Sequence, residues 1–212
     1  MQKNVFWDFD GTLFDTYPIM AKSFSLAMQK MNIEELEIDE YDILVTMRQH
    51  SLATALQKFS AEFNLDEGLL KSNYKSIEKD KINISKPFLN VDKVLTNIIK
   101  NNGKNYLLTH RDNKAIELLK KFNFNNFFDD TVTKSQDFKR KPDPESLNYL
   151  ISKHNIERND ALMIGDRKID IDASHNAGIK GCLFDNNNII KSKGNPEMEI
   201  NNYYDFLNDQ FK

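Results

Sequence analysis

Apolar residues occur in this chain as short runs at its start and through its second half, and as helical stripes in between. Val5-Phe6-Trp7 is the first run and suits a buried strand. It gives way to Asp8, Asp10 and Gly11, where the strand ends and glycine permits a sharp turn. From residue 16 to residue 84 the spacing is helical. Met20, Phe24, Ala27, Met28 and Met31 form one stripe, and Ile43, Leu44 and Met47 a second behind a capping Asp39. Leu52, Ala55, Leu56, Phe59 and Phe63 form a third after Ser51; Leu69, Leu70, Tyr74 and Ile77 form a fourth. A plain strand–helix–strand crossover needs roughly 30 residues. This segment is much longer, which predicts a separate all-helical bundle. Asp15-Thr16-Tyr17-Pro18 and Ser85-Lys86-Pro87-Phe88 mark its two ends as hinge strands.

From residue 91 helix and strand alternate. Val94, Leu95, Ile98 and Ile99 predict a helix stopped near Gly103, and residues 106–109 a strand. Asp112 caps a helix carrying Ile116, Leu118, Leu119 and Phe122, and Thr131-Val132-Thr133 is the next strand. Asp143-Pro144 starts a helix with Leu147, Leu150 and Ile151 on its buried face. Residues 161–164 form a strand closed by Gly165-Asp166. A helix with Ile169, Ala173 and Ala177 follows, stopped by Gly178, and then a strand over 182–184. A short terminal helix is expected around 203–211. Such alternation predicts a parallel sheet with helices on both faces.

Composition narrows the class. The chain has 212 residues, 40% hydrophobic and 29% charged, with a net charge of −3. That describes a globular chain and disfavours a nucleic-acid-binding face. No apolar run approaches the roughly 20 residues that span a bilayer, and the first apolar segment is broken by Asp8 and Asp10, unlike a signal peptide. Cys182 is the single cysteine, so no internal disulfide forms. These features together predict a cytoplasmic protein.

The chemistry gathers at the predicted strand ends: Asp8 and Asp10, then Thr109, then Asp166 with Asp170 four residues on, with Lys141 just before the helix start at Asp143. In a parallel sheet these groups meet at one edge. Several carboxylates in one place need a cation, and hard oxygen ligands suit Mg²⁺. A hydroxyl, a lysine and free backbone N–H groups suit phosphate oxygens. The set points to phosphoryl transfer.

Asp8-Phe-Asp-Gly-Thr-Leu13, Leu108-Thr-His-Arg111, Arg140-Lys-Pro-Asp-Pro144 and Gly165-Asp-Arg-Lys-Ile-Asp170 resemble, in order, the four motifs of the haloacid dehalogenase-like hydrolase superfamily. Within it the chain looks most like the phosphoglycolate phosphatase and β-phosphoglucomutase branch. The resemblance implies an α/β fold: a Rossmann-like parallel sheet core over 1–15 and 86–212, with an all-helical cap inserted over 16–85. It implies that Asp8 is the nucleophile forming an aspartyl-phosphate, and that Asp10 is the general acid/base. Mg²⁺ would be held by Asp8, the backbone carbonyl of Asp10, and Asp166, with Asp170 reaching it through water or orienting its neighbours. Thr109 and the N–H of His110 would hold the phosphoryl oxygens, and Lys141 would balance charge. Arg48, His50 and Ser51 fall between two cap helices; they either contact substrate, Arg48 foremost, or lie on the surface.

The function so implied is Mg²⁺-dependent hydrolysis of a small phosphorylated metabolite by a monomer or homodimer, with neither nucleic acid nor membrane as partner. Two alternatives share the motifs: a sugar-phosphate mutase, and a non-catalytic binding or regulatory protein on the same scaffold. A second acid at Asp10 argues against carbon–halogen chemistry. A phosphonate-cleaving relative would need a Schiff-base lysine from the cap, for which only Lys22 and Lys30 offer themselves. The second motif departs from pattern. It reads Thr109-His110-Arg111, where many relatives have Ser or Thr followed by Asn. His110 and Arg111 either line the pocket or open the next helix.

Overall fold

The computed structural model describes residues 3–210. The chain divides into two compact units, Met1–Phe14 with Pro87–Lys212, and Asp15–Lys86. Strand β1 (Asn4–Trp7) runs into the turn at Gly11, whose φ of +74° is the left-handed conformation glycine adopts without steric cost. Strand β2 (Phe14–Asp15) follows, and then four helices: α1 (Tyr17–Gln29), α2 (Glu40–Gln49), α3 (Leu52–Glu62) and α4 (Glu67–Lys81). Strand β3 (Lys86–Pro87) pairs with β2 as a two-stranded sheet. Pro87 lies in β3 as expected of a hinge strand, whereas Pro18 sits in the first turn of α1, where its missing N–H costs nothing.

In the helical unit α1 packs on α2 and α4. Its core is Tyr17, Ala21, Phe24, Ala27, Met28, Ile43, Met47, Ala55, Leu56, Phe59, Leu70 and Tyr74. Asp39 caps α2 by accepting from the N–H groups of Tyr41 and Asp42, and Ser51 caps α3 by accepting from Thr54. Leu69, placed by its spacing on a buried stripe, is instead 52% exposed: the stripe of α4 is carried by Leu70 and Tyr74, with Ile77 partly buried against the same core. Lys22 is ion-paired with Glu40 and Glu35, which hold its ammonium protonated above the ordinary lysine range, a poor start for a Schiff base.

The other unit continues through α5 (Val91–Lys100), β4 (Lys104–Leu108), α6 (Lys114–Lys121), β5 (Phe128–Val132) and α7 (Glu145–Lys153). It ends with β6 (Ala161–Gly165), α8 (Lys168–Asn176), β7 (Lys180–Phe184), β8 (Met198–Ile200) and α9 (Tyr203–Gln210). The six-stranded sheet has the order β5-β4-β1-β6-β7-β8, and each pairing is parallel. Central strands covered on both faces explain the unbroken apolar runs in the sequence. Alternate residues of β1 feed opposite faces. Phe6 stacks on Tyr106 in the cluster with Leu108, Leu147, Leu150 and Met163, while Trp7 packs on Tyr203 of α9.

Some local expectations shift. Strand β8 has only three residues and no apolar run, so the pattern missed it. The helix expected from Pro144 begins at Glu145, with Asp143 accepting from the Glu145 N–H. Ile99 is 41% exposed, at the rim of its helical face. Phe211, at the end of the expected terminal helix, lies outside the described residues. Among the described residues no helix is long and apolar enough to cross a membrane.

Candidate active site

The sheet order builds the site. From β1 the chain goes out to one side through β4 and β5, then crosses to β6 on the other side. Ligands of open parallel sheets bind at such a switch point, beyond the carboxyl ends of the strands. Trp7 is in register with Leu107 on one side and Ile164 on the other. The residues that follow, Asp8, Thr109 and Asp166, are therefore carried to one edge. Asp8 N–H still bonds to Ile164 O at 2.9 Å, and Thr109 N–H to Val132 O at 2.9 Å, so both backbones are fixed to the ladder.

Asp8, Asp166 and Asp170 are buried, and one carboxylate oxygen of each lies within 4.8 Å of the others. Asp170 comes from the first turn of α8, and its approach depends on Gly165. A Cβ on Gly165 would stand 2.3 Å from the Asp170 Cβ, so no other residue fits there. An isolated glycine at a strand end is the sequence signal for such close approach, although spacing alone does not name the neighbour.

Lys141 reaches this cluster from the loop before α7. Its Nζ donates to Asp8 Oδ1 at 2.5 Å, to Asp170 Oδ1 at 2.5 Å and to Leu108 O at 3.3 Å, which uses all three ammonium protons. Burial opposes the charge on Lys141, but Asp170 and Asp8 outweigh it and hold the ammonium above its ordinary range. Burial pushes Asp8 up to about 6, and Asp170 adds to the rise against the pull of Lys141. Asp170 goes the other way. Burial resists its ionisation, but Lys141 and Arg167 hold it below the usual carboxylate range.

The set fits a divalent cation. Three buried carboxylates converge, and the cations beside them include Lys141 and the Arg167 guanidinium, whose Nε is 3.8 Å from Asp166. The donors are hard oxygens of the kind Mg²⁺ takes.

The other expected residues divide. Thr109 is buried beside the cluster's edge. Its Oγ1 accepts from the Arg111 N–H at 3.0 Å, which leaves its own proton to donate. The Asp10 carboxylate is not in the acidic cluster; it lies in the fork of Arg111, so any part Asp10 has in holding a cation falls to its backbone carbonyl. The His110 ring is engaged with the loop before α7, its Nε2 accepting from the Lys141 N–H at 2.9 Å. Burial, and then the charge of Lys141, push His110 down to about 3, so the imidazole is neutral. Arg48 belongs to the helical unit, buried there with its guanidinium 5.5 Å from the centre of the Tyr17 ring. Ser51 is occupied as the cap of α3. Cys182 is buried, and burial drives its thiol far above the ordinary range, so it is no nucleophile.

The model of the haloacid dehalogenase-like hydrolases matches residues 5–184, a span that holds every one of these groups. The chain belongs to that family. It is 26% identical over 183 residues to the phosphoglycolate phosphatase of Aliivibrio fischeri, covering 83% of this chain and 81% of that protein. A hydrolase from Streptococcus pneumoniae is similar in structure, with 32% identity and a TM-score of 0.67 over 87% of this chain and 94% of that one. A structure described as a predicted phosphoglycolate phosphatase from Haemophilus somnus is 20% identical with a TM-score of 0.83, covering 98% and 97% of the two chains. At that identity it speaks for the family's fold alone. In the second motif, His110 and Arg111 are turned towards other residues of the site.

Proposed function

We propose that this hydrolase is a Mg²⁺-dependent phosphatase of a small phosphorylated metabolite, working through a covalent intermediate on Asp8. The observation that carries the proposal is the convergence of Asp8, Asp166 and Asp170 with the Lys141 ammonium between two of them. Asp8 Oδ attacks phosphorus while the bond from phosphorus to the leaving oxygen breaks. Asp10 gives that oxygen a proton. A water then attacks the same phosphorus, Asp10 takes its proton, and the Asp8–phosphorus bond breaks to free inorganic phosphate. Thr109 Oγ1 and the His110 N–H donate to the phosphoryl oxygens, and Lys141 neutralises charge beside Asp8. Asp8, Asp166 and the Asp10 carbonyl would hold Mg²⁺, with Asp170 as a further ligand or support, and the ion would supply electrostatic stabilisation of the transferring group.

The kinship with phosphoglycolate phosphatases supports a small substrate. The helical segment over 16–85 is proposed as a cap that excludes water, and Arg48 as its substrate contact. The test is hydrolysis of 4-nitrophenyl phosphate. Turnover is expected only with Mg²⁺, and Asp8→Asn should lower it by at least about 10³-fold, as loss of a nucleophile does. Metal-independent turnover, or activity that survives Asp8→Asn, would overturn the assignment.

A further inference from the structure

The departure in the second motif has its own chemistry. Arg111 Nε donates to both oxygens of Asp10, at 2.9 and 3.0 Å, and Nη2 lies 2.7 Å from Oδ1. The guanidinium is planar with its donors in a fixed fork, so it sets the plane of the carboxylate as well as its place, which a lysine ammonium does not. Arg111 is itself held at both backbone ends. Its N–H donates to Thr109 Oγ1, and its carbonyl accepts from the Lys134 N–H at 2.9 Å. The side chain of Arg111 is only 10% exposed, which leaves little of it to meet a substrate.

His110 reaches in a different direction. Its ring takes the backbone N–H of Lys141, a residue 31 positions later. The loop before α7 is thereby tied to the end of β4, while the Lys141 side chain is tied to Asp8 and Asp170. One tripeptide thus offers a hydroxyl of its own and fixes a charged group from each of two other motifs.

We propose that His110 and Arg111 are positioning residues, Arg111 orienting the Asp10 carboxylate and His110 the backbone of Lys141, and that neither side chain contacts substrate. This deepens the phosphatase reading and rests on it for the roles of Asp10 and Lys141. Oδ2 of Asp10 takes only the Nε contact and keeps a lone pair, so the held group still exchanges protons with leaving oxygen and water through that oxygen. What the fork removes is rotation of the Asp10 side chain, and misplacement of a catalytic group by about 1 Å costs up to about 10²-fold in rate.

Steady-state kinetics on 4-nitrophenyl phosphate with Mg²⁺ separates positioning from substrate contact. Arg111→Met is expected to lower kcat by tenfold or more with KM within about threefold of wild type. Arg111→Lys, which keeps the charge without the fork, should recover only part of that loss. Arg111→Met added to Asp10→Asn should cost almost nothing further, because the two groups act as one. His110→Ala should lower kcat about tenfold with KM little changed, and His110→Gln, with an acceptor at similar reach, should restore most of it. A raised KM at unchanged kcat would make Arg111 or His110 a substrate contact and overturn the proposal, as would full independence of the Arg111 and Asp10 substitutions.

Two measurements need no turnover, and so keep this inference apart from the phosphatase reading. The Arg111 Nε–H resonance should be visible at neutral pH in wild type and lost in Asp10→Ala. The Lys141 amide should exchange with solvent at least tenfold faster in His110→Ala than in His110→Gln. A resonance that persists in Asp10→Ala, or equal exchange in the two variants, would refute the corresponding pairing even in an active enzyme. Their expected behaviour in a protein without phosphatase activity would uphold the pairings while the functional assignment fell.

Discussion

Asn105 is the second residue of β4, fully buried, with its hydrogen-bonding groups in use. Its Oδ1 accepts from Trp7 Nε1 at 2.9 Å, and its Nδ2 donates to Leu95 O at 3.3 Å and Phe127 O at 3.2 Å. One side chain thereby ties β1, the middle of α5 and the entry to β5 together. Asn105→Leu conserves volume but leaves an indole N–H and two carbonyls in the interior without that partner, at a cost of about 1 kcal/mol or more each. The variant is expected to lose about 3 kcal/mol in urea unfolding, and a loss under 1 kcal/mol would show that the network is dispensable. Local sequence does not reveal this, because Trp7 stands 98 residues away. Asp8, Thr109, Asp166, Asp170 and Lys141 were legible for the opposite reason. Each directly follows an apolar strand or sits beside a helix start, so topology alone brings them together. Arg111 was visible as a residue but not as the partner of Asp10, since nothing in its neighbours says which way a long side chain turns.

Helices show a second kind of information that periodicity misses. Among the described residues, every non-glycine residue with positive φ is an asparagine. Asn64, Asn102, Asn123 and Asn155 each stand just past a helix end, after α3, α5, α6 and α7, with φ between 51° and 60°. Only α8 uses glycine there, Gly178 at +68°. Asparagine tolerates the left-handed conformation better than other residues with a Cβ, and it closes helices where glycine is commoner. The stop expected at Gly103 belongs instead to Asn102. Gly103 answers a different demand: a Cβ there would lie 2.7 Å from Lys3 O and 2.8 Å from Ile98 Cγ2. Replacing any one of these four asparagines by alanine is expected to cost about 1 kcal/mol, and replacement by glycine to leave stability nearly unchanged. Urea midpoints of the paired variants check this; alanine variants as stable as their glycine counterparts would refute it. The abundance of asparagine in the sequence thus has a structural meaning that composition did not supply. Helix and strand identities, by contrast, were readable from β1 to β7, because strands covered on both faces and helices covered on one leave different spacings. Strand β8 escaped because an edge strand of three residues, half exposed, buries too little to leave a pattern.

At the scale of the molecule, the acidic cluster sets function against stability. Asp166 is fully buried within 4.8 Å of two further carboxylates, all inside the unit that carries the sheet. Like charges at that separation in a poorly solvated site repel, and Lys141 and Arg167 do not balance all three. On the proposal that the cluster holds a cation, the fold carries this repulsion until that cation offsets it. Two consequences follow, and they have opposite signs in one variant. Asp166→Asn keeps the shape and removes one charge, so without Mg²⁺ it should melt at or above the temperature of wild type. Wild type should gain from Mg²⁺ by mass action, about 2.7 kcal/mol at a hundred times the dissociation constant. For a protein of this size that raises the melting temperature by roughly 5–10 °C. Asp166→Asn should lose most of that gain together with phosphatase activity. Thermal melts of both proteins across a Mg²⁺ series decide the matter. A variant that melts well below wild type in chelator, yet still responds to Mg²⁺ as wild type does, would mean that Asp166 stabilises the apo fold and takes no part in holding a cation.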